Sequence, residues 1–313
     1  MKAFLNIQTT MKRVAILFVI VFFAHTSLFA QEDSLLLNEN FFFKAIRANQ
    51  ADSYITFSQG FGNVEPLIFE ALISPYFLLR TSKDSRWGAT LSPAIMIRMY
   101  SEKSFPVRTP SYMPHITFYH QLSSRAVENV KYLFLNIAHH SNGQDGEFFN
   151  KDGSYNVITG NFATNYLELG MFFNKNIVPF TNTNEYFQTS LEYHLDLGHE
   201  EELRGRYSNL RWHNNLRIFR FPSYKSYKKL ILDKTPAIQT RIETTWMFGD
   251  FNNASFFNIK ERLNFSFTIA YKPKFLSDVS LFANIYVGQD YYNMHFYRRI
   301  SVFRIGLQAY SFK

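Results

Sequence analysis

Apolar and polar side chains alternate with a period of two over most of the C-terminal half of the chain. From Phe187 to Leu197 the odd positions read Phe, Thr, Leu, Tyr, Leu, Leu, against Gln188, Ser190, Glu192, His194 and Asp196. From Ile238 to Phe248 the even positions read Ile, Thr, Ile, Thr, Trp, Phe, against Gln239, Arg241, Glu243, Thr245 and Met247. Segments 263–271, 279–287 and 301–312 repeat the pattern. A strand turns successive side chains to opposite faces, so each segment predicts a strand with one greasy and one polar face. Twelve such segments are expected, at about 53–61, 65–80, 87–101, 111–122, 128–140, 162–173, 185–198, 208–221, 236–249, 261–272, 278–290 and 297–312. Pro75 and Pro93 interrupt two of the earlier ones, where a bulge or a strand end is expected.

Alternation alone also fits a water-soluble sandwich. Charged residues such as Glu192, Asp196, Arg241 and Glu243 recur on one face of long strands, as in the polar interior of a membrane barrel. Phe (35) and Tyr (19) lead an aromatic content of 18 %, yet mean hydropathy is mildly negative, and no apolar run of spanning length follows residue 30. These features together predict an all-β fold, a transmembrane antiparallel β-barrel of 12 strands. The chain closes on Tyr310-Ser-Phe-Lys313, with an aromatic residue next to last. Tyrosines at strand ends, Tyr291, Tyr292 and Tyr297 among them, and Trp87, Trp212 and Trp246 are expected in the interfacial girdles.

Residues 1–30 read as a secretory signal peptide. Lys2, Lys12 and Arg13 precede the short apolar run Val14–Ala24, and small residues stand at the expected cleavage site before Gln31; Met11 is an alternative start. The mature barrel is expected over 31–313, with 31–50 as an N-terminal lead-in and export to the cell outer membrane. The formal charge of +8 becomes about +5 once the three signal-peptide cations leave. The remaining cations are dispersed, which argues against a nucleic-acid site. Cysteine is absent, which excludes disulfides, thiolate metal sites and Cys nucleophiles.

One stretch breaks the pattern. In Leu133-Phe-Leu-Asn-Ile-Ala-His-His-Ser-Asn-Gly143 the row Leu133, Leu135, Ile137 continues into His139 and Ser141. On the next segment Asn165 heads the row Leu167, Leu169, Met171, Phe173. In a barrel these rows face lipid, where polar groups without partners are costly. The three polar side chains should therefore satisfy one another. A hydroxyl, an imidazole and an orienting amide are also a nucleophile, a base and its positioning group. At the acyl-chain boundary the matching substrate is a membrane lipid ester. His140 points to the other face and reads as an interior or loop histidine, and His194 and Asp196 as part of an interior network rather than a metal pair.

His139-His-Ser-Asn-Gly143 resembles the His-x-Ser-Asn-Gly motif of the outer membrane phospholipase A family. Ser104-Phe-Pro-Val-Arg108-Thr-Pro-Ser-Tyr112-Met-Pro114 resembles that family's Ser-x-Pro-x-Arg-x-x-x-Tyr-x-Pro segment. Asn165-Tyr-Leu167 is similar to its asparagine at the start of the following strand. The resemblance implies hydrolysis of sn-1 and sn-2 phospholipid acyl esters. Ser141 would attack the ester, His139 would carry the proton, Asn165 would hold the imidazole, and the Gly143 N–H would donate to the oxyanion. It also implies calcium, completed across a homodimer: Ser104 from the partner subunit, the Gln144 carbonyl, and a further ligand in the loop 145–160. Ser154 is a candidate for that ligand; Asp145, Glu147 and Asp152 are acidic alternatives. Ser141 and Asn165 are 24 residues apart, more than the family's spacing, so Asn156 and Asn161 stand as alternatives to Asn165. Two rival readings are a lipid A deacylase, with Glu168 or Glu147 as an acidic third residue, and a non-enzymatic porin or channel.

Overall fold

The computed structural model describes residues 45–63, 65–81, 85–103, 106–122, 131–174, 183–198, 200–220 and 236–309. The expected signal segment, Phe41–Phe43 and the last four residues lie outside these. Thirteen strand segments follow in order: β1 (Tyr54–Thr56), β2 (Leu67–Ile73), β3 (Phe77–Leu79), β4 (Trp87–Tyr100), β5 (Ser111–Gln121), β6 (Lys131–Ser141), β7 (Ala163–Asn174), β8 (Thr183–Leu195), β9 (Leu210–Arg220), β10 (Ile238–Phe248), β11 (Leu263–Tyr271), β12 (Val279–Gln289) and β13 (Arg299–Ala309). From β3 to β13 each pairs antiparallel with its sequence neighbours, β1 pairs with both β2 and β13, and β2 pairs with β4. The sheet is therefore closed. β2 and β3 lie along successive parts of β4 and form one strand broken at Ser74-Pro75-Tyr76, so the barrel has twelve strands, as the alternation predicts.

The two prolines behave differently. Pro75 breaks its strand, and its carbonyl, released from the ladder, accepts from Ser92 Oγ at 2.7 Å. Pro93 stays inside β4, opposite Pro114 on β5. There the two residues without N–H groups face each other across the ladder.

Polarity is inverted relative to a soluble domain. The outward rows carry Ile137, Leu169, Met171, Leu191, Ile269, Leu281, Ile285 and Phe303, all exposed. The inward rows carry Arg98, Thr117, Asn136, Glu192, Arg217, Gln239 and Arg304, all buried. A closed sheet with an apolar exterior and a polar interior satisfies every ladder bond without water, as a bilayer demands. The protein is a multi-pass β-barrel of outer-membrane type. Replacing a residue of the apolar belt tests this directly. Leu169→Arg, half-way along β7, is expected to cost about 2–4 kcal/mol of folding free energy in lipid vesicles, measured by denaturant titration. A neutral effect would place this wall in water.

The interior is filled from both ends. Residues 45–49 are helical. Ala45, Ile46 and Ala48 are packed against the inward aromatics Tyr119, Tyr132, Phe134, Phe172, Tyr186 and Phe219. The N-terminal lead-in thus ends inside the lumen. Gln50 donates to Tyr119 Oη at 2.7 Å, and Gln239 on β10 donates to Asp52 at 3.2 Å. At the other end, the β12–β13 loop folds inward. Tyr292, Met294 and Phe296 are buried, and Asn293 donates to the Thr109 carbonyl at 2.8 Å and to Ser111 Oγ at 3.2 Å. The placement of Tyr291 and Tyr292 in a lipid-facing girdle is therefore corrected. Tyr291 donates to Glu70 Oε1 at 2.8 Å inside the barrel, and Tyr292 lies under the Arg98 guanidinium, 4.7 Å from its ring centre. Aromatic residues at a strand end suit either place, and the inward turn of the loop decides. Tyr297 is exposed but stacks on Tyr155, with ring centres 4.3 Å apart. Trp212, opposite Trp246 on the neighbouring strand, is exposed on the outer wall as a girdle residue would be.

Between the two fillings lies a polar cavity of about 440 Å³, lined by Glu168, Glu192, Arg211, His213, Arg241 and Glu243 among others. At its wall, where Arg304 lines it, a buried ion cluster joins Glu70 to Arg98 (2.6 Å) and to Arg304, and Arg98 to Asp290 (2.9 Å). His194 belongs to this interior. It bonds Glu192 at 2.8 Å and Thr164 at 2.8 Å, whereas Asp196 is exposed beside Arg204.

Candidate active site

The site lies where β6 and β7 end at the loop-rich mouth. Odd positions of β6 face outward, which turns His139 and Ser141 to the outer wall, while His140 is buried behind them against Phe162, with ring centres 4.8 Å apart. In the register of the pair, His139 stands opposite Asn165 and Ser141 opposite Ala163, while on the other side Ser141 stands opposite Tyr112. The Ser111–Pro114 end of the upstream motif is thus brought beside the nucleophile candidate. His139 Nδ1 lies 2.8 Å from Asn165 Oδ1. Asn165 Nδ2 donates to the carbonyls of Leu197 (2.7 Å) and Gly198 (3.4 Å) in the β8–β9 loop.

Among the described residues no hydrogen bond joins Ser141 Oγ to His139 Nε2. The two residues share a face two positions apart, about 6.8 Å along a strand. That gap is one that rotamer changes of the two side chains shorten, and such bonds tighten only when substrate is bound. Gly143 has φ +67°, the left-handed region that disfavours a side chain. A Cβ there would stand 3.5 Å from the Tyr112 ring. No described residue accepts from its N–H, which leaves that donor at the mouth beside Ser141.

Asn142 holds this turn. It is buried, accepts from the N–H groups of Phe162 (3.0 Å) and Gln144 (3.3 Å), and donates to the Gly160 carbonyl at 2.8 Å. The same bonds explain the long spacing before Asn165. Residues 146–160 close on themselves through pairing of Gly146 with Gly160 and Phe149 with Tyr155. The insertion is a loop closed at its base by the parallel Gly146–Gly160 bridge and ending in a small antiparallel hairpin at Phe149–Tyr155, and β7 resumes the register as if it were absent. Its aromatic side packs on the mouth, where Phe148, Phe162, Leu203, Tyr207, Met294 and Phe296 form one buried cluster. Neither alternative asparagine meets His139. Asn161 donates to Glu200 at 2.7 Å, and Asn156 caps its own turn through Thr159 and the Glu147 carbonyl. Burial and the charge of Glu202 push the Glu200 carboxyl above its usual range, against the Asn161 bond.

The acidic alternatives do not reach His139 either. Glu168 faces the lumen, accepting from Ser190 at 2.6 Å and Asn136 at 3.2 Å, and Glu147 is exposed on the insertion.

A calcium ion takes six to eight oxygens. Ser104 lies outside the described residues. The Gln144 carbonyl receives no hydrogen bond from a described residue, and Asp145 is exposed beside it. Ser154 stands at the far tip of the hairpin, its hydroxyl donating to Asp152 at 2.6 Å and accepting from Asn150 at 3.0 Å. That hydroxyl and the Ser154 N–H hold the Asp152 carboxyl below the usual carboxylate range. The structure thus does not place Ser154 with Gln144, because the two hairpin pairings separate them. Among the described residues no group of three or more His, Asp or Glu is arranged to hold a metal ion.

Comparison with solved structures supplies the architectural match. The chain is similar to outer membrane phospholipase A from Escherichia coli, at 11 % identity and a TM-score of 0.55, covering 85 % of this chain and 97 % of that one. The fold is that of the outer membrane phospholipase A barrel. An active-site variant of the Escherichia coli protein, with an asparagine replaced by alanine, gives 10 % identity and a TM-score of 0.56, over 85 % and 97 % of the two chains. The Salmonella typhi outer membrane phospholipase, a dimer with bound calcium, gives 9 % identity and a TM-score of 0.51, over 82 % and 90 %. No protein-family model and no curated protein sequence matches the chain.

Two contributors escaped the reading of the sequence: the Leu197 and Gly198 carbonyls. Backbone acceptors carry no residue-type signal. The one available hint was Gly198 itself, just beyond the alternating row of β8.

Proposed function

We propose that the protein is an outer-membrane phospholipase that cleaves acyl esters of membrane phospholipids, at sn-1 and sn-2, with Ser141 as nucleophile, His139 as base and Asn165 as its orienting partner. The observation that carries this reading is the 2.8 Å His139–Asn165 bond on the lipid-facing wall, with Ser141 next on the same row. A structural role leaves unexplained why such a row interrupts the apolar belt.

His139 Nε2 takes the proton as Ser141 Oγ bonds to the ester carbonyl carbon. The resulting oxyanion is met by the Gly143 N–H, whose left-handed backbone leaves it open to the substrate. Collapse breaks the ester bond, and His139 returns the proton to the departing lysophospholipid oxygen. A water, deprotonated by His139, then bonds to the acyl carbon, the acyl–Oγ bond breaks, and His139 returns the proton to Ser141 Oγ as the fatty acid leaves. Asn165 is neutral, so it positions the imidazole without the charge stabilisation an aspartate would add. The acyl chain stays in the bilayer against the outward apolar rows throughout.

Calcium enters this proposal through the calcium-bound neighbour. Its oxygens would be the Gln144 carbonyl and Ser104 of the partner subunit, in a homodimer, and it would supply positive charge near the oxyanion. Purified protein in detergent–phospholipid micelles should release free fatty acid, and excess chelator should suppress that release. Absence of any acyl release overturns the enzyme reading; release unchanged by chelator removes calcium from it. A lipid A deacylase with an acidic third residue is disfavoured by the positions of Glu168 and Glu147. An open channel is disfavoured by the helical turn and the mouth loops that fill the lumen.

A further inference from the structure

The amide of Asn165 has two ends of opposite character, and only one is useful to His139. If Oδ1 faces the ring, Nδ1 carries the hydrogen and Nε2 is left with the lone pair needed to take a proton from Ser141. If the amide turns over, Nδ2 faces the ring, Nδ1 becomes the acceptor and Nε2 carries the hydrogen, which makes the imidazole useless as a base. An aspartate is symmetric and has no such ambiguity. A site built on asparagine therefore needs something that fixes the amide.

The β8–β9 loop provides it. Two backbone carbonyls, those of Leu197 and Gly198, stand at 2.7 and 3.4 Å from Asn165 Nδ2. Carbonyls only accept, so only the NH₂ end of the amide is tolerated there, and Oδ1 is directed to His139. The approach depends on residue 198 being glycine. Its φ is +62°, and a Cβ built on it would come within 2.7 Å of Asn165 Nδ2. The loop is itself anchored to the site strand, since the Glu200 N–H donates to the Ala163 carbonyl at 3.1 Å and Glu200 accepts from Asn161.

We propose that Gly198, with the Leu197 carbonyl, is a positioning element of the active site that fixes the Asn165 amide and thereby the tautomer of His139, and that this contact is why the third residue is asparagine rather than aspartate. This inference rests on the phospholipase reading of the site. An Asn165→Asp change would put a carboxylate oxygen where Nδ2 stands, facing two carbonyl oxygens with no hydrogen to share. The side chain would swing away from His139 or take up a proton.

The test is a set of variants assayed for kcat and KM on phospholipid in mixed micelles. Gly198→Ala is expected to lower kcat about 10- to 100-fold with KM little changed, as small misplacements of a catalytic group do. In an Asn165→Ala background the same change should have no further effect, within about twofold, because the group it acts through is gone. Gly205→Ala is the matched control: it lies in the same loop at φ +72° with open space around it, so it carries the backbone strain without the contact and should keep its kcat. Asn165→Asp should lose activity to a similar degree as Asn165→Ala, and it decides the matter if Gly198→Ala does not fold. The proposal is overturned if Gly198→Ala keeps its kcat, if it is equally damaging without Asn165, if Gly205→Ala matches it, or if Asn165→Asp is as active as the parent. Ser141→Ala separates the two levels. Hydrolysis surviving that change fails the site reading as a whole, whereas Ser141→Ala and Asn165→Ala both inactive beside a fully active Gly198→Ala fails the positioning role alone.

Discussion

Replacing Ser141 by alanine should lower phospholipid hydrolysis by about 10⁴-fold or more, with the barrel intact. The side chain is half-buried on the outer wall and no described residue hydrogen-bonds to its hydroxyl, so its loss leaves no buried group unsatisfied and stability should hardly move. What disappears, on the proposed mechanism, is the acyl–enzyme route itself. Removal of a nucleophile or its base leaves only the rate that substrate binding and oxyanion donors can support. His139→Ala should fall to a similar floor, and the double variant should be no worse than either, because residues acting as a unit do not add. Fatty-acid release by purified protein, with β-sheet circular dichroism to establish folding, reads both. A Ser141→Ala protein within about tenfold of the parent would remove this row from the chemistry.

The second large effect is on stability. Glu70 is fully buried and accepts from Arg98 Nε (2.6 Å), Tyr54 Oη (2.6 Å), Tyr291 Oη (2.8 Å) and Arg304. Glu70→Leu removes the carboxylate on which two buried guanidiniums converge. Arg98 keeps Asp290 at 2.9 Å; among the described residues Arg304 keeps the Tyr291 hydroxyl. Breaking a buried pair from one side costs about 3–5 kcal/mol, because the surviving charge is uncompensated. Denaturant unfolding from lipid vesicles should show a loss of that size. Glu70→Leu combined with Arg304→Leu should recover part of it, since the stranded charge leaves with its partner. A single variant within about 1 kcal/mol of the parent would mean that lumen water replaces the carboxylate.

The sequence made the barrel legible where strands are long and the outer row is uninterrupted, as in β8 to β13. It was less clear at the start, for reasons the structure supplies. β1 has only three residues, and the next strand is broken by Pro75. The candidate residues were legible through parity, because His139, Ser141 and Asn165 each continue an apolar row. Spacing was the poorer guide: the insertion between Ser141 and Asn165 closes through Gly146 and Gly160, and its length says nothing about where β7 begins. Tyr291 and Tyr292 were misplaced because residue type cannot tell an inward loop from an interfacial girdle. The Leu197 and Gly198 carbonyls were out of reach of any reading of side chains, and so was the lumenal position of residues 45–49.

The shortness of β1 bears on how the cylinder is held shut. Where β12 meets β13 the ladder runs over eleven residue pairs, Val279 to Gln289, but β1 meets β13 over Tyr54–Thr56, prolonged by the bonds of Ala309 N–H to the Ser53 carbonyl and Phe57 N–H to the Ile305 carbonyl. That is a short hem. The side chains sew it from within: Tyr54 on β1, Glu70 on β2 and Arg304 on β13 meet at one carboxylate, and Thr56 Oγ1 accepts from the Glu70 N–H at 2.8 Å. The charged cluster is thus a rivet through the three strands where the two ends of the sheet are joined. The seam between the first and last strands is thus fastened in part by polar atoms hidden from the lipid.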